Sequence, residues 1–134
     1  MPFSIDERDW PVVVLTITGS VTPAEEDDFA NRSCALPSRG ERYSAVVNLL
    51  DATTPTSRFI RTQASAQKLH EDALRTHCAG IAFVIGSPML RGALRAILYL
   101  QPLPCPQIVV ATVDEARTWA EGALFETPLA QSSA

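Results

Sequence analysis

The stretch from Gly80 to Val113 constrains this chain more than any other. Gly80–Ile85 is an apolar, β-branched run that reads as a strand. It meets Gly86-Ser87-Pro88, where the residue before proline is pushed to an extended backbone. That conformation is also the one a helix N-cap requires, so Ser87 suits a cap on two grounds. Pro88 to Leu100 then reads as a strongly apolar helix, stopped by Gln101-Pro102 and by Pro104 and Pro106. Ile108–Thr112 forms a second strand. Two strands joined by a single helical crossover must run parallel, and the crossover helix opens at the carboxyl edge of the sheet. A chain built around such a unit is an α/β protein.

The flanking sequence extends the pattern. Pro2–Glu7 alternates Phe3 and Ile5 with polar residues, as a half-buried edge strand does, and Arg8 to Pro11 reads as a turn. Val12–Thr18 is near-continuously apolar, hence a strand buried on both faces and antiparallel to the first. Thr22-Pro23-Ala24-Glu25 spells a helix start with a capping box and proline at the first helical position. That helix is expected to reach Cys34 or Ala35, with an exit loop over Pro37 to Glu41. Tyr43–Leu50 is a third strand and Asp51 to Pro55 a hydroxyl-rich loop. Thr56 or Ser57 caps a long helix running to about Thr76, with Phe59, Thr62, Ala66, Leu69 and Ala73 as its inward stripe. Thr112-Val113-Asp114-Glu115 is a second capping box, opening a last helix that buries Trp119, Ala120 and Leu124. Residues 126–134 read as a polar, flexible tail. The predicted order is ββαβαβαβα: a mostly parallel five-stranded sheet with an antiparallel N-terminal edge strand and four main helices. A length of 134 residues suits one domain, placed at residues 1–125.

Composition narrows the function classes. A net charge of −4 argues against nucleic acid or an anionic membrane as the main partner. No apolar run reaches the ~20 residues of a membrane span, so no membrane insertion and a cytoplasmic location are expected. Three cysteines without close pairing do not suggest a disulfide framework, and His70 and His77 frame no zinc spacing, so no metal and no cofactor is expected.

All four crossover-type helices should place their N-termini at the carboxyl edge of the sheet, where open α/β sheets bind ligands. Thr56, Ser57, Ser87 and Arg91 are the candidate anion or phosphorylation residues of that edge. Ordinary helix capping already requires Ser and Thr at these positions and is the favoured reading of the hydroxyls. The edge should also collect Ser20, Thr53 and Thr54, while Cys78, Cys105 and Cys34 should gather at the opposite edge. Along the helix after Ser87, only Arg91 and Arg95 form a clearly polar stripe. Met89, Leu90, Leu94, Ile97 and Tyr99 are candidates for an interface or an apolar ligand surface, because a helix on one sheet face needs only an apolar arc. A neighbouring helix, a second subunit or an apolar ligand would each cover the surplus. No nucleophile-elbow, phosphate-loop or triad motif occurs, so no catalytic residue is assigned.

With these elements in place, the order resembles the STAS domain, the fold of bacterial anti-sigma-factor antagonists (SpoIIAA-like proteins), with the CRAL-TRIO lipid-binding domains related in architecture. The likeness spans roughly Pro2 to Leu124. It is most specific at Phe83-Val84-Ile85-Gly86-Ser87-Pro88, Arg91-Gly92, Leu100-Gln101-Pro102, Val110-Ala111-Thr112 and Trp119-Ala120. The resemblance implies a non-enzymatic regulatory module, in which a serine opening the helix after the third strand is phosphorylated by a partner kinase. The usual Asp-Ser-Ser/Thr-Gly-Leu setting is replaced here by Asp51-Ala52-Thr53-Thr54-Pro55-Thr56-Ser57-Arg58, and Thr56 and Ser57 match by position only. Two expectations follow. One is a regulatory or scaffolding domain that works through protein contacts, self-associating as a homodimer. The other is a small-ligand binder, anionic or lipid-like, with Arg91 or Ser87 fixing the anionic head.

Overall fold

The computed structural model describes residues 3–53 and 55–125. The strands are β1 (Phe3–Asp6), β2 (Val12–Gly19), β3 (Tyr43–Ala52), β4 (Cys78–Val84) and β5 (Gln107–Val110). The helices are α1 (Pro23–Ala35), α2 (Ser57–Leu69), α3 (Glu71–His77), α4 (Pro88–Leu100) and α5 (Val113–Leu124). The strands form one sheet in the order β1-β2-β3-β4-β5, with β1 antiparallel to β2 and every other pair parallel. The expected α/β architecture is the observed one. The proposed tail at 126–134, together with Met1, Pro2 and Thr54, lies outside the described residues.

Strand order equals chain order, so each crossover steps one strand further in the same direction. Crossovers of one hand then stack their helices on one face. Phe29, Phe59, Leu74 and Leu90 accordingly bring α1 to α4 onto the same core, against Leu15, Ala45 and Phe83 of the sheet. Only α5 returns over the other face, where Ala116 and Ala120 pack on Val12, Val46 and Val84. Strand periodicity makes this division: Ala45, Val47, Ile81 and Phe83 face α1–α4, and the alternating Val46, Ala82 and Val84 face α5. Small residues let α5 lie close. Ser44 Oγ donates to the Ala120 carbonyl at 2.8 Å, and the Trp119 ring occupies the space a side chain at Gly80 would need.

The local start signals operate as read. Thr22, Thr56, Ser87 and Thr112 each accept a backbone N–H of the following turn. The Thr22 box is closed on both sides by Glu25. At the second box the Glu115 carboxylate instead accepts the Thr112 hydroxyl, at 3.1 Å.

The structure corrects the sequence reading at several points. The long helix to Thr76 is two helices: at His70 the backbone leaves helical geometry (φ −106°, ψ 18°), and its N–H is shared by the Ala66 and Lys68 carbonyls. Beyond the break, Leu74 enters the core and Glu71 accepts from the Gln101 amide. A 3-10 turn over Leu36–Arg39 replaces part of the expected exit loop. Strand β3 runs on through Asp51 and Ala52, held by pairing with Thr18 and Gly19, and β5 ends at Val110 rather than Thr112. The inward stripe of α2 is also displaced. Leu69 is 80% exposed, while Phe59, Ala64 and Gln67 are the buried residues.

Candidate functional site

Two features dominate the α1–α4 side of the sheet, a polar cluster at the carboxyl edge and an apolar cavity beneath it. The cluster grows from the α1 and α2 N-termini. The Thr56 hydroxyl caps α2 by accepting the Phe59 N–H (3.0 Å) and donates to Glu26 Oε2 (2.9 Å). Glu26, only 2% exposed, also receives Arg58 Nη1 at 2.8 Å. A buried carboxylate is costly unless paired and hydrogen-bonded, and here two partners supply that. Arg58 further clamps Asp27 through Nη2, 3.0 Å from both carboxylate oxygens, and Asp27 and Glu26 together hold the guanidinium above its ordinary pKa. The α2 start is therefore occupied by a carboxylate of the chain itself. Thr53 adds a cross-link between loops: its hydroxyl donates to the Gly19 carbonyl (3.1 Å) and lies 3.2 Å from the Ser20 hydroxyl. Gly19 permits the turn there, with φ at +65°.

The cavity, about 190 Å³, lies between the sheet and helices α1, α2 and α4. Val47 and Phe83 form its floor, Phe29 one wall, and Leu94 and Ile97 the other. It reaches the surface beside Gly19, Ser20 and Thr53, which are exposed and line it. The lining face of α2 is Thr56, Phe59, Gln63 and Gln67, at 3,4,4 spacing. Two of these four are glutamines, and neither the Gln63 nor the Gln67 side-chain oxygen has a hydrogen-bond partner. Gln67 is 8% exposed. An orphaned buried acceptor costs about 1–3 kcal/mol, so the pair burdens the fold by several times the worth of an ordinary hydrogen bond.

The sequence-derived residues divide between these features. Thr56 and Ser57 sit at the α2 start, Thr56 engaged on both sides and Ser57 exposed. Ser87 caps α4 by accepting the Met89 N–H at 3.2 Å, and Arg91 is exposed one turn on; neither lines the cavity. Leu90, Leu94 and Ile97 do line it, whereas Met89 and Tyr99 are 66% and 88% exposed. Sequence reasoning passed over Glu26, Gln63 and Gln67. The available signal was polarity on the face of α2 that continues the Thr56–Phe59 line.

At the opposite edge, Cys78 and Cys105 meet as expected, and Tyr43 joins them. Hydrogen bonding with Cys78 and burial push the Cys105 thiol up, and burial does the same to the Tyr43 phenol and the Cys34 thiol. Those three groups stay protonated, whereas the hydrogen bond with Cys105 draws the buried Cys78 thiol below its ordinary pKa. No cluster of metal-ligating side chains occurs among the described residues, and no helix there is long and apolar enough to cross a membrane.

This arrangement of sheet and helices is the SpoIIAA-like fold. The anti-sigma factor antagonist SpoIIAA in its unphosphorylated form superposes with a TM-score of 0.64 at 14% identity, over 90% of this chain and 98% of that one. An anti-sigma factor antagonist from Mycobacterium paratuberculosis gives 0.54 at 14% identity, over 89% and 92%. An uncharacterised protein of the DUF3478 family with a SpoIIAA-like fold, from Shewanella loihica, gives 0.62 at 10% identity, over 88% and 91%. No protein-family model and no curated protein matches this sequence.

Proposed function

We propose that this chain is a non-enzymatic regulatory or scaffolding module that works through protein contacts, including contacts with a second copy of itself through α4. The observation that carries the reading is the exposed apolar surface of that helix. Met89 and Tyr99 are 66% and 88% exposed and Leu100 is 54% exposed, in a helix whose buried residues are Leu90 and Leu94. Apolar side chains grouped along one exposed helix mark a contact surface more often than chance exposure does. The likeness to two anti-sigma factor antagonists supports a partner of the same kind, a regulatory protein, at this fold's surface. A phosphoryl switch at Thr56 has little support. Its hydroxyl already donates to Glu26, and a phosphate there would face the Glu26 and Asp27 carboxylates. Ser57, exposed beside it, is the better acceptor.

Sedimentation equilibrium over a hundredfold concentration range tests the α4 contact. The wild-type chain should associate reversibly, and the double substitution Met89→Gln, Tyr99→Ser should weaken association by at least about tenfold, or about 1.4 kcal/mol. A wild-type chain that stays monomeric throughout removes self-association from the reading. Leu94 is unsuitable for this test, being 8% exposed and part of the core.

A further inference from the structure

We infer that the cavity under α2 is a binding site for a small, ring-sized apolar molecule that carries at least one O–H or N–H donor. The wall chemistry sets the class. Val47, Phe83 and Phe29 offer only apolar contact, and they line the same cavity as Gln63 and Gln67, whose acceptor oxygens are buried without a partner. A dry apolar pocket would need no glutamine. A purely structural helix face would turn its glutamines to water, whereas Gln67 is 8% exposed. Four residues apart, the two amides stand about 6 Å apart along the helix axis, one turn above the other. A donor on a bound ring can satisfy one of them, and a second donor, or a water retained with the ligand, the other.

Volume sets the size. An apolar cavity of about 150 Å³ holds benzene, so about 190 Å³ suits a fused bicyclic ring or a terpenoid alcohol and falls short of a full acyl chain. The charge balance sets the head group. The nearest ionised side chain on the lining is Glu26, already bonded to Thr56 and Arg58, so the site presents no free cation to an anionic head. The ligand is thus neutral and a donor. Entry is beside Ser20 and Thr53, whose hydroxyls join the β2–α1 and β3–α2 loops over the opening. This site faces the protein's interior and is independent of the exposed α4 residues, so either proposal can fail alone.

The test compares 2-naphthol with naphthalene by isothermal titration calorimetry on the full chain. Naphthalene has the same rings and no donor, so hydrophobicity alone favours it. The site should bind 2-naphthol at least about tenfold more tightly, equivalent to about 1.4 kcal/mol. Gln67→Leu and Gln63→Leu should each reduce that preference and raise the melting temperature, because each removes an orphaned acceptor. Equal affinity for the two rings, or binding of neither below millimolar concentration, overturns the proposal. So does a soaked crystal in which ordered water alone meets both amides. If a leucine variant fails to fold, the wild-type side-chain amide resonances of Gln63 and Gln67 decide the matter. Shifts with 2-naphthol and not with naphthalene support the site; no shift with either overturns it.

Discussion

Single side chains here show how local chemistry is settled before any partner is considered. Asp6 accepts the Arg8 backbone N–H at 3.0 Å and its guanidinium at 2.8–3.2 Å, and these bonds lower the Asp6 pKa from 3.8 to about 2. A carboxyl whose folded pKa is depressed adds stability that is complete above its unfolded value. That contribution should fade as pH falls from about 4 toward about 2, where the folded form also protonates. A carbon-detected NMR titration of the Asp6 carboxyl checks this, and a midpoint near 3.8 would show that the Arg8 pairing does not persist in solution. Glu26 is a different case, because it is buried and bonded to two side chains at the α2 start. Thr56→Val would remove a charge-assisted bond and the α2 cap together, a loss of about 2 kcal/mol or more in urea unfolding. A loss below half of that would mean Arg58 alone suffices for the carboxylate.

At the scale of elements, caps were legible in the sequence and faces were not always so. Thr22, Thr56, Ser87 and Thr112 act within three residues of themselves, so sequence suffices for them. Strand type was legible for the same reason in β2 and β4, where β-branched and apolar residues run unbroken. The inward face of α2 depends instead on what lies opposite. Reading apolarity selected Phe59, Thr62, Ala66 and Leu69; Phe59 does face the cavity, but Gln63 and Gln67 follow it there, one residue round the helix. The break at His70 was invisible too, since no proline or glycine marks it. In α4 the apolar excess was legible but not its division between the cavity and the exposed surface. Glycines give the sharpest test of helix packing. A Cβ at Gly80 would stand 2.6 Å from the Trp119 ring and 3.3 Å from the Ala123 Cβ, so Gly80→Ala should destabilise by about 1–3 kcal/mol. Gly92, in α4 with nothing within 4 Å of a Cβ, should gain about 0.5–1 kcal/mol as alanine. A Gly80→Ala midpoint in urea at or above that of the wild type would contradict the α5 packing described.

For the molecule as a whole, the sheet's one-directional order puts α1 to α4 on one face and leaves that layer with two surfaces. Its inner surface encloses the cavity, and its outer surface carries Met89 and Tyr99 on α4. One helix thus contributes Leu94 and Ile97 inward and an exposed apolar edge outward. The proposed function makes α4 the surface through which this module meets another protein, a second copy included. Hydrogen–deuterium exchange of the full chain at two protein concentrations, about a hundredfold apart and spanning the association, tests it most directly. Added protection at the higher concentration should concentrate in residues 89–100, with α5 unchanged. Protection confined to α5 or to the β1 edge, with α4 exchanging identically at both concentrations, would contradict the claim.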